Sequence, residues 1–385
     1  MRGWRTLRAV LRLERVPLDG VDPTIEARRS RNVFRTREWL EFVARTQEAE
    51  PVVAHVERDG VPVGAFTGLI VRRFGVRILG SPFQGWMTGP MGFTLDPGVD
   101  RDEATRALMR FAFRRLGCLH VELLDRNAGF EGLGGRHEGQ AGFATFELDL
   151  RQDEEALFAG MTSACRRAIR KSARVGLRVE EAHGVEFADE YYAQLLEVFE
   201  RQGFRPPYGV ERVRELIRCV EPSGSLLMLR AVTSDGERIA TALFPAREEF
   251  GYFWGGASLA SHRILRPNEA IFWHAIRHFR ERGVERLDLG GGSDYKRKFG
   301  APERFTPYLR KSRVPGLLTL LNAAAYVYKR RAMRGAGTRP ETAPGRAATP
   351  FPRASARGLR PRAAPRPEGD PAERDPAERD PAPRR

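Results

Sequence analysis

Apolar and polar positions along this chain trace one α/β unit written twice. Residues 51–57 and 61–69 are β-rich runs separated by Asp59-Gly60, the signature of a hairpin. Ahead of them, 34–43 has the spacing of a short helix, with Thr36 as N-cap and Glu38 close behind. A third strand over 77–79 runs into Gly80-Ser81-Pro82. The glycine- and aromatic-rich stretch 85–97 is expected to fold back over a site. Residues 101–116 place Ala104, Leu108 and Phe111 on one helical side. Strands over 119–124 and 141–150 complete the first unit.

The order then recurs. A helix over 153–173 carries an arginine-rich face, and 185–202 reads as another long helix, followed by a short helical piece before 222. A hairpin follows, with strands 225–231 and 238–244 joined at Asp235-Gly236. Strand 250–254 runs into Gly255-Gly256-Ala257-Ser258, and helix 267–282 leads to strand 284–289. Hairpin, helix and strand thus match in both halves, so the pattern predicts two similar domains, 21–150 and 151–313. A hairpin feeding a strand–helix–strand crossover implies mixed sheets, an α/β (α+β) class, not a doubly wound parallel one.

Beyond 313 the pattern changes. Residues 317–328 are apolar and end in Lys329-Arg330-Arg331, so 314–334 is expected to be an amphipathic helix. It would lie on an anionic membrane surface or pack on the second domain. From 335 to 385 proline, alanine and arginine dominate, with Asp-Pro-Ala-Glu-Arg at 370–374 and again at 375–379. That composition predicts a disordered tail.

Composition narrows the picture modestly. The 385 residues are 41% hydrophobic and 30% charged, ordinary for a soluble protein of two domains. The net charge of +15 suits an anionic partner, but it is carried by dispersed arginines. The lysines are Lys171, Lys296, Lys298, Lys311 and Lys329. Cys118, Cys165 and Cys219 form no CxxC pair, so neither structural zinc nor a disulfide framework is indicated. No signal-peptide pattern opens the chain and no run reaches membrane-span length, which predicts a cytoplasmic protein, taken to be a monomer. No GxGxxG follows a strand, and no P-loop or Gly-x-Ser-x-Gly elbow occurs.

Several segments together carry a resemblance. They are Gly251-Tyr252-Phe253-Trp254-Gly255-Gly256-Ala257, Arg266-Pro267-Asn268-Glu269-Ala270, Trp273-His274-Ala275-Ile276, Leu287-Asp288-Leu289-Gly290-Gly291 and Tyr295-Lys296-Arg297-Lys298-Phe299-Gly300. With the run 161–173, they resemble the FemABX-like (BioF2-like) proteins, over roughly 21–313. The resemblance implies tandem acetyltransferase (GNAT)-fold domains. It implies transfer of an acyl or aminoacyl group to an amine, in cell-envelope or polysaccharide metabolism. The donor would be acyl-CoA or aminoacyl-tRNA, with no tightly bound cofactor. The acceptor would be a small molecule or a lipid-linked precursor. The chain departs from the tRNA-using branch in one respect: no pair of long charged helices forms an inserted arm in 186–222.

Amine attack on a thioester or ester needs aligned reactants, a donor aimed at the developing oxyanion and a path for the amine proton. Lys296 falls at the family's motif lysine and is the first candidate for charge stabilisation. Asp288 alternates with Leu287 and Leu289; it orients the amine, takes its proton through water, or holds Lys296 or Arg297 in a structural pair. Gly290 and Gly291, like Gly255 and Gly256, would give backbone access to a ligand. Arg266 and Asn268 flank Pro267 at a helix start suited to an anion. Tyr295 precedes the lysine, and Trp86 is a candidate cleft wall. Arg167 and Lys171 belong to a basic stripe with Arg170 and Arg174, which either contacts an anionic partner or is a solvated face. His274 and His278 share a helix face, but no third ligand is evident in the sequence, so no metal is expected. A nucleic-acid-binding protein and a non-catalytic relative of the transferases are the competing readings.

Overall fold

A computed structural model describes residues 10–128, 140–291, 294–317, 319, 320 and 323. The first half runs β1 (Arg12–Val16), α1 (Pro23–Arg29), α2 (Arg37–Gln47), β2 (Glu50–Arg58), β3 (Val61–Arg73), β4 (Val76–Ser81), β5 (Phe93–Leu95), α3 (Arg101–Arg114), β6 (His120–Leu124) and β7 (Gln140–Asp149). The second runs α4 (Glu154–Gly160), α5 (Ser163–Arg174), β8 (Arg178–Ala182), α6 (Phe187–Glu200), α7 (Val210–Val220), β9 (Leu226–Val232), β10 (Arg238–Arg247), β11 (Phe250–Tyr252), β12 (Gly255–Ser258), α8 (Pro267–Glu281), β13 (Arg286–Asp288) and β14 (Glu303–Ser312).

The internal repeat is visible in strand direction. Hairpins β2–β3 and β9–β10 are antiparallel, whereas β4 with β6 and β11 with β13 are parallel. A parallel neighbour requires a crossover, and α3 and α8 supply it in corresponding positions. The mixed α/β class read from the sequence is the observed one.

The sheets of the two halves are continuous, in the order β1-β2-β3-β4-β6-β14-β7-β13-β11-β10-β9-β8. β14 ends the second half in sequence, yet it lies between β6 and β7; β7 reaches across to β13. Each half therefore lends a strand to the junction. The sequence does not mark a strand at 303–312, because Glu303, Arg304, Arg310 and Lys311 obscure any apolar alternation.

Apolar side chains separate into three groups. One joins the halves: Phe34, Trp39 and Phe42 pack with Phe187, Tyr191, Val213 and Leu216. A second lies beneath α5 and α8 and includes Phe244, Phe272, Ile276 and Leu287. A third lies beneath α3, with Leu108, Phe111 and Val121. Burying both faces of the sheet accounts for the nearly continuous apolar run in β10, in which Ile239 to Ala246 is buried throughout.

The helix expected over 153–173 is two helices. Thr162 stops the first and caps the second: its hydroxyl accepts from Cys165 N at 3.3 Å, and its own N–H donates to Lys298 O at 2.9 Å. β1, α1 and β8 have too weak a periodicity to be marked by the sequence. Most of the helix expected over 314–334, and all of the 335–385 tail, lie outside the described residues. No described helix is long and apolar enough to cross a membrane.

Candidate active site

The site grows from the place where β11 and β13 part. They pair as far as Tyr252 and Asp288, and Phe253 N still donates to Asp288 O at 2.8 Å. Past that point β13 turns to β7: Leu289 N donates to Phe146 O at 2.8 Å, and Phe146 N to Gly290 O at 3.2 Å. β12, on the other side, follows β10. A splayed strand pair leaves backbone and ring faces unclaimed by the sheet.

Lys296 fills this opening from a 3-10 turn, Asp294–Phe299. Its Nζ donates to Gly291 O at 3.1 Å and lies 5.6 Å from the centre of the Phe253 ring. Burial lowers its pKa to about 8, only partly opposed by the Asp288 charge. The two glycines are required for different reasons, a positive φ at Gly290 and space at Gly291. A Cβ on Gly290, whose φ is +78°, would sit 3.0 Å from the ammonium; one on Gly291 would sit 2.6 Å from Ala144 O of β7.

Asp288 is only 4% exposed. Its Oδ1 accepts from Gly290 N at 2.6 Å, which shapes the turn. Burial raises its pKa to about 6 against the hydrogen bonds that favour the carboxylate, and nearby Glu147 adds to the rise. Glu147 in turn is gripped by Arg126 through both guanidinium nitrogens.

The three flanking basic and aromatic residues are distinguishable. Lys298 is 2.7 Å from Glu269 of α8, and its Nζ caps the Tyr295 ring at 3.4 Å from the centroid. Burial pushes the Tyr295 phenol well up. Arg297 pairs with Glu303 at 2.7 Å. Below them Phe253, Phe272 and Phe299 stack at 4.7 Å steps. This aromatic floor attaches the lysine turn to α8 and to the second core.

Residues 161–297 match the family model described as acetyltransferase (GNAT) domain. Residues 161–297 thus carry the pattern of a GNAT domain. The whole described fold is similar to the crystal structure of FemX, with TM-score 0.62 and 14% identity over 77% of this chain and 96% of that one. It is also similar to a conserved protein of unknown function from Bacteroides thetaiotaomicron, with TM-score 0.52 and 13% identity over 78% and 99% of the two chains. The tandem arrangement expected from the FemABX-like motifs is therefore the observed fold. No curated protein matches the sequence.

Within the GNAT domain the candidates divide. Lys296, Gly290, Gly291, Asp288 and Tyr295 come together. Gly255 and Gly256, expected to give a ligand access to the backbone, lie in β12, opposite Leu243 and Ala242. Their smallness accommodates neighbours: a Cβ on Gly255 would collide with the Tyr191 hydroxyl, and one on Gly256 would be 3.0 Å from the Phe253 ring. Asn268 Nδ2 donates to Ser258 Oγ at 3.2 Å, tying α8 to β12. Arg266 adopts φ +64° as the residue before the helix, close enough to Tyr295 for its charge to act on the phenol.

One expectation fails. Trp86 is 4% exposed and packs on Phe83 at 4.7 Å, so its ring belongs to the core between the halves and not to a cleft wall. Arg167 faces solvent on α5 and Lys171 is half-buried there, which fits either reading of the stripe, an anionic contact or a solvated face. Conversely, Phe253 and Glu269 were missed as site residues. Phe253 looked like ordinary core, and Glu269 acquires its role only through Lys298, far along the chain.

An unforeseen polar layer lies behind β12. Tyr191 and Tyr208 hydroxyls are 2.8 Å apart, and Tyr208 stacks on Trp254 at 5.1 Å. Tyr208 also lines an open hollow of about 880 Å³ with Tyr192, Leu196, Glu200 and Phe204.

Proposed function

We propose that the protein is an N-acyltransferase that moves an acyl or aminoacyl group to an amine at the Lys296 opening, without a covalent enzyme intermediate. The observation that carries this reading is a half-buried lysine, its pKa lowered to about 8, at the mouth of a splayed GNAT strand pair. The amine nitrogen attacks the donor carbonyl, a C–N bond forms, and the carbonyl electrons move to oxygen. The Lys296 ammonium, still mostly protonated at neutral pH, stabilises that oxyanion. Collapse breaks the thioester C–S or ester C–O bond, and the leaving group takes up a proton released by the amine. Asp288 orients the turn that aims Lys296.

The donor is acyl-CoA or aminoacyl-tRNA; the compact 186–222 segment favours acyl-CoA. A cell-envelope acceptor and a cytoplasmic location, with peripheral contact at the inner membrane face, belong to the same reading. They rest on the FemABX-like motifs.

The test is a two-arm product assay. Purified protein is incubated with a panel of acyl-CoA thioesters or with charged tRNA, plus amine acceptors including amino sugars and peptidoglycan precursors. Amide products are read by mass spectrometry. Product in the thioester arm alone supports acyl-CoA as donor, and product in the tRNA arm alone reverses that choice. No amide in either arm contradicts the transferase reading.

A further inference from the structure

We propose that His274, His278 and Glu181 form a binding site for a zinc-class divalent cation, on a face of the second half away from Lys296. The histidine pair was visible in sequence, but its third partner is supplied by β8, far upstream. His278 Nδ1 lies 2.8 Å from Glu181 Oε1, and His274 Nε2 lies 4.0 Å from the same oxygen. One ligand atom from each residue falls within 4.8 Å of the others. Zinc holds nitrogen and oxygen ligands at about 2.0–2.2 Å, so a tetrahedral set needs them about 3.3 Å apart. The two distances to Glu181 Oε1 bracket that value.

The fold explains the placement. Val179 packs towards the second core, and Glu181, two residues on, shares its face of the strand. α8 covers that face, and its residues 274 and 278 are one turn apart. The rings are nearly parallel, 28° between planes with centroids 6.4 Å apart. Two imidazoles and one carboxylate are a borderline donor set that suits zinc and its neighbours and disfavours magnesium and calcium. His274 and Glu181 side chains are 35% and 38% exposed, which leaves an open position for water and a path for the ion. The adjacent Arg277 is engaged by Glu154 at 3.1 Å and Glu281 at 3.8 Å.

β8 is the terminal strand of the sheet order. A cation here would clamp the crossover helix to that edge strand. The first turn of the same helix carries Asn268 and Glu269, which contact β12 and Lys298. The site is thus a clamp on the frame of the GNAT domain, outside the reacting centre.

Chelator-treated full-length protein titrated with zinc chloride in a calorimeter should bind one equivalent with a micromolar or tighter dissociation constant. Saturating zinc should raise the melting temperature by about 3–6 °C. Cobalt(II) should give visible d–d absorption, and magnesium should do neither. Glu181→Gln, a shape-conserving change at an exposed position, should weaken zinc at least tenfold, and a His274→Ala/His278→Ala double variant should abolish binding. Failure of wild-type protein to bind zinc would overturn the proposal. So would an undiminished single equivalent in Glu181→Gln and in the double variant, each checked for folding by circular dichroism. If the double variant does not fold, the Glu181→Gln titration decides.

Discussion

The Lys298 ammonium lies 2.7 Å from the Glu269 carboxylate, with both side chains largely withdrawn from water. This pairing separates two lysines that are two positions apart. Lys298 neutralises a buried carboxylate at the start of α8, whereas Lys296 donates to the carbonyl of Gly291. Removing one partner of a buried pair leaves an uncompensated charge and costs about 3–5 kcal/mol. Lys298→Ala should therefore lower unfolding stability by about 3 kcal/mol in urea titrations, while Lys296→Ala leaves it near wild type. Equal stability losses would contradict this division of roles.

The two lysines should also titrate apart. With pKa lowered to about 8, Lys296 should react with an amine-directed label at pH 8 well before the other lysines. Peptide mass spectrometry across a pH series should place its midpoint near 8; a midpoint near 10 would contradict the burial argument. The linked stability has a definite sign. Between about 8 and the unfolded value of about 10.4, the unfolded chain holds the proton that the folded one has lost. The contribution of this group to stability therefore rises with pH over that window, and Lys296→Met should remove the rise.

Asp288 has the opposite anomaly. Its folded pKa, raised to about 6, exceeds the unfolded value of about 3.9. The contribution is fully present below about 3.9 and is lost as pH rises through 6. Asn at this position keeps an oxygen to accept from Gly290 N and carries no buried charge. Asp288→Asn should be more stable than wild type at pH 7–8 by about 1–3 kcal/mol, with the gap closing towards pH 4. Thermal melts across that range check it; a destabilised variant at pH 7 would mean the carboxylate charge is needed by Arg126.

Gly291→Ala tests the fit of the turn against β7. Its Cβ would press on Ala144 O at 2.6 Å, a backbone atom with little freedom to yield. The variant should lose about 1–3 kcal/mol of stability and most of its activity. Wild-type stability would mean the turn and β7 are not tightly apposed.

What could be read from sequence was whatever is written locally. The hairpins at Asp59-Gly60 and Asp235-Gly236, the α3 stripe of Ala104, Leu108 and Phe111, and the lysine turn after β13 all have short-range signals. The junction did not. β14 is legible only once β6 and β7 flank it, and β8 only once Val179 finds the core beneath α8. Trp86 misled because a glycine-flanked tryptophan looks the same whether its ring lines a cleft or meets Phe83 in the core. Lys296 and Lys298 were likewise indistinguishable until Glu269 was seen beside one of them.

The central claim is that the Lys296 ammonium meets charge that develops during acyl transfer. The most direct test is kcat/KM for amide formation by wild type, Lys296→Ala and Lys296→Arg, with the donor and acceptor found by the product assay. Loss of one oxyanion-stabilising donor costs about 2.7–4 kcal/mol, so folded Lys296→Ala should be slower by about 10²–10³-fold, mainly in kcat. Wild-type kcat/KM should fall above pH 8 as the ammonium deprotonates, and any residual activity of Lys296→Arg should lack that limb. A folded Lys296→Ala enzyme with wild-type kcat/KM and an unchanged pH profile would contradict the account.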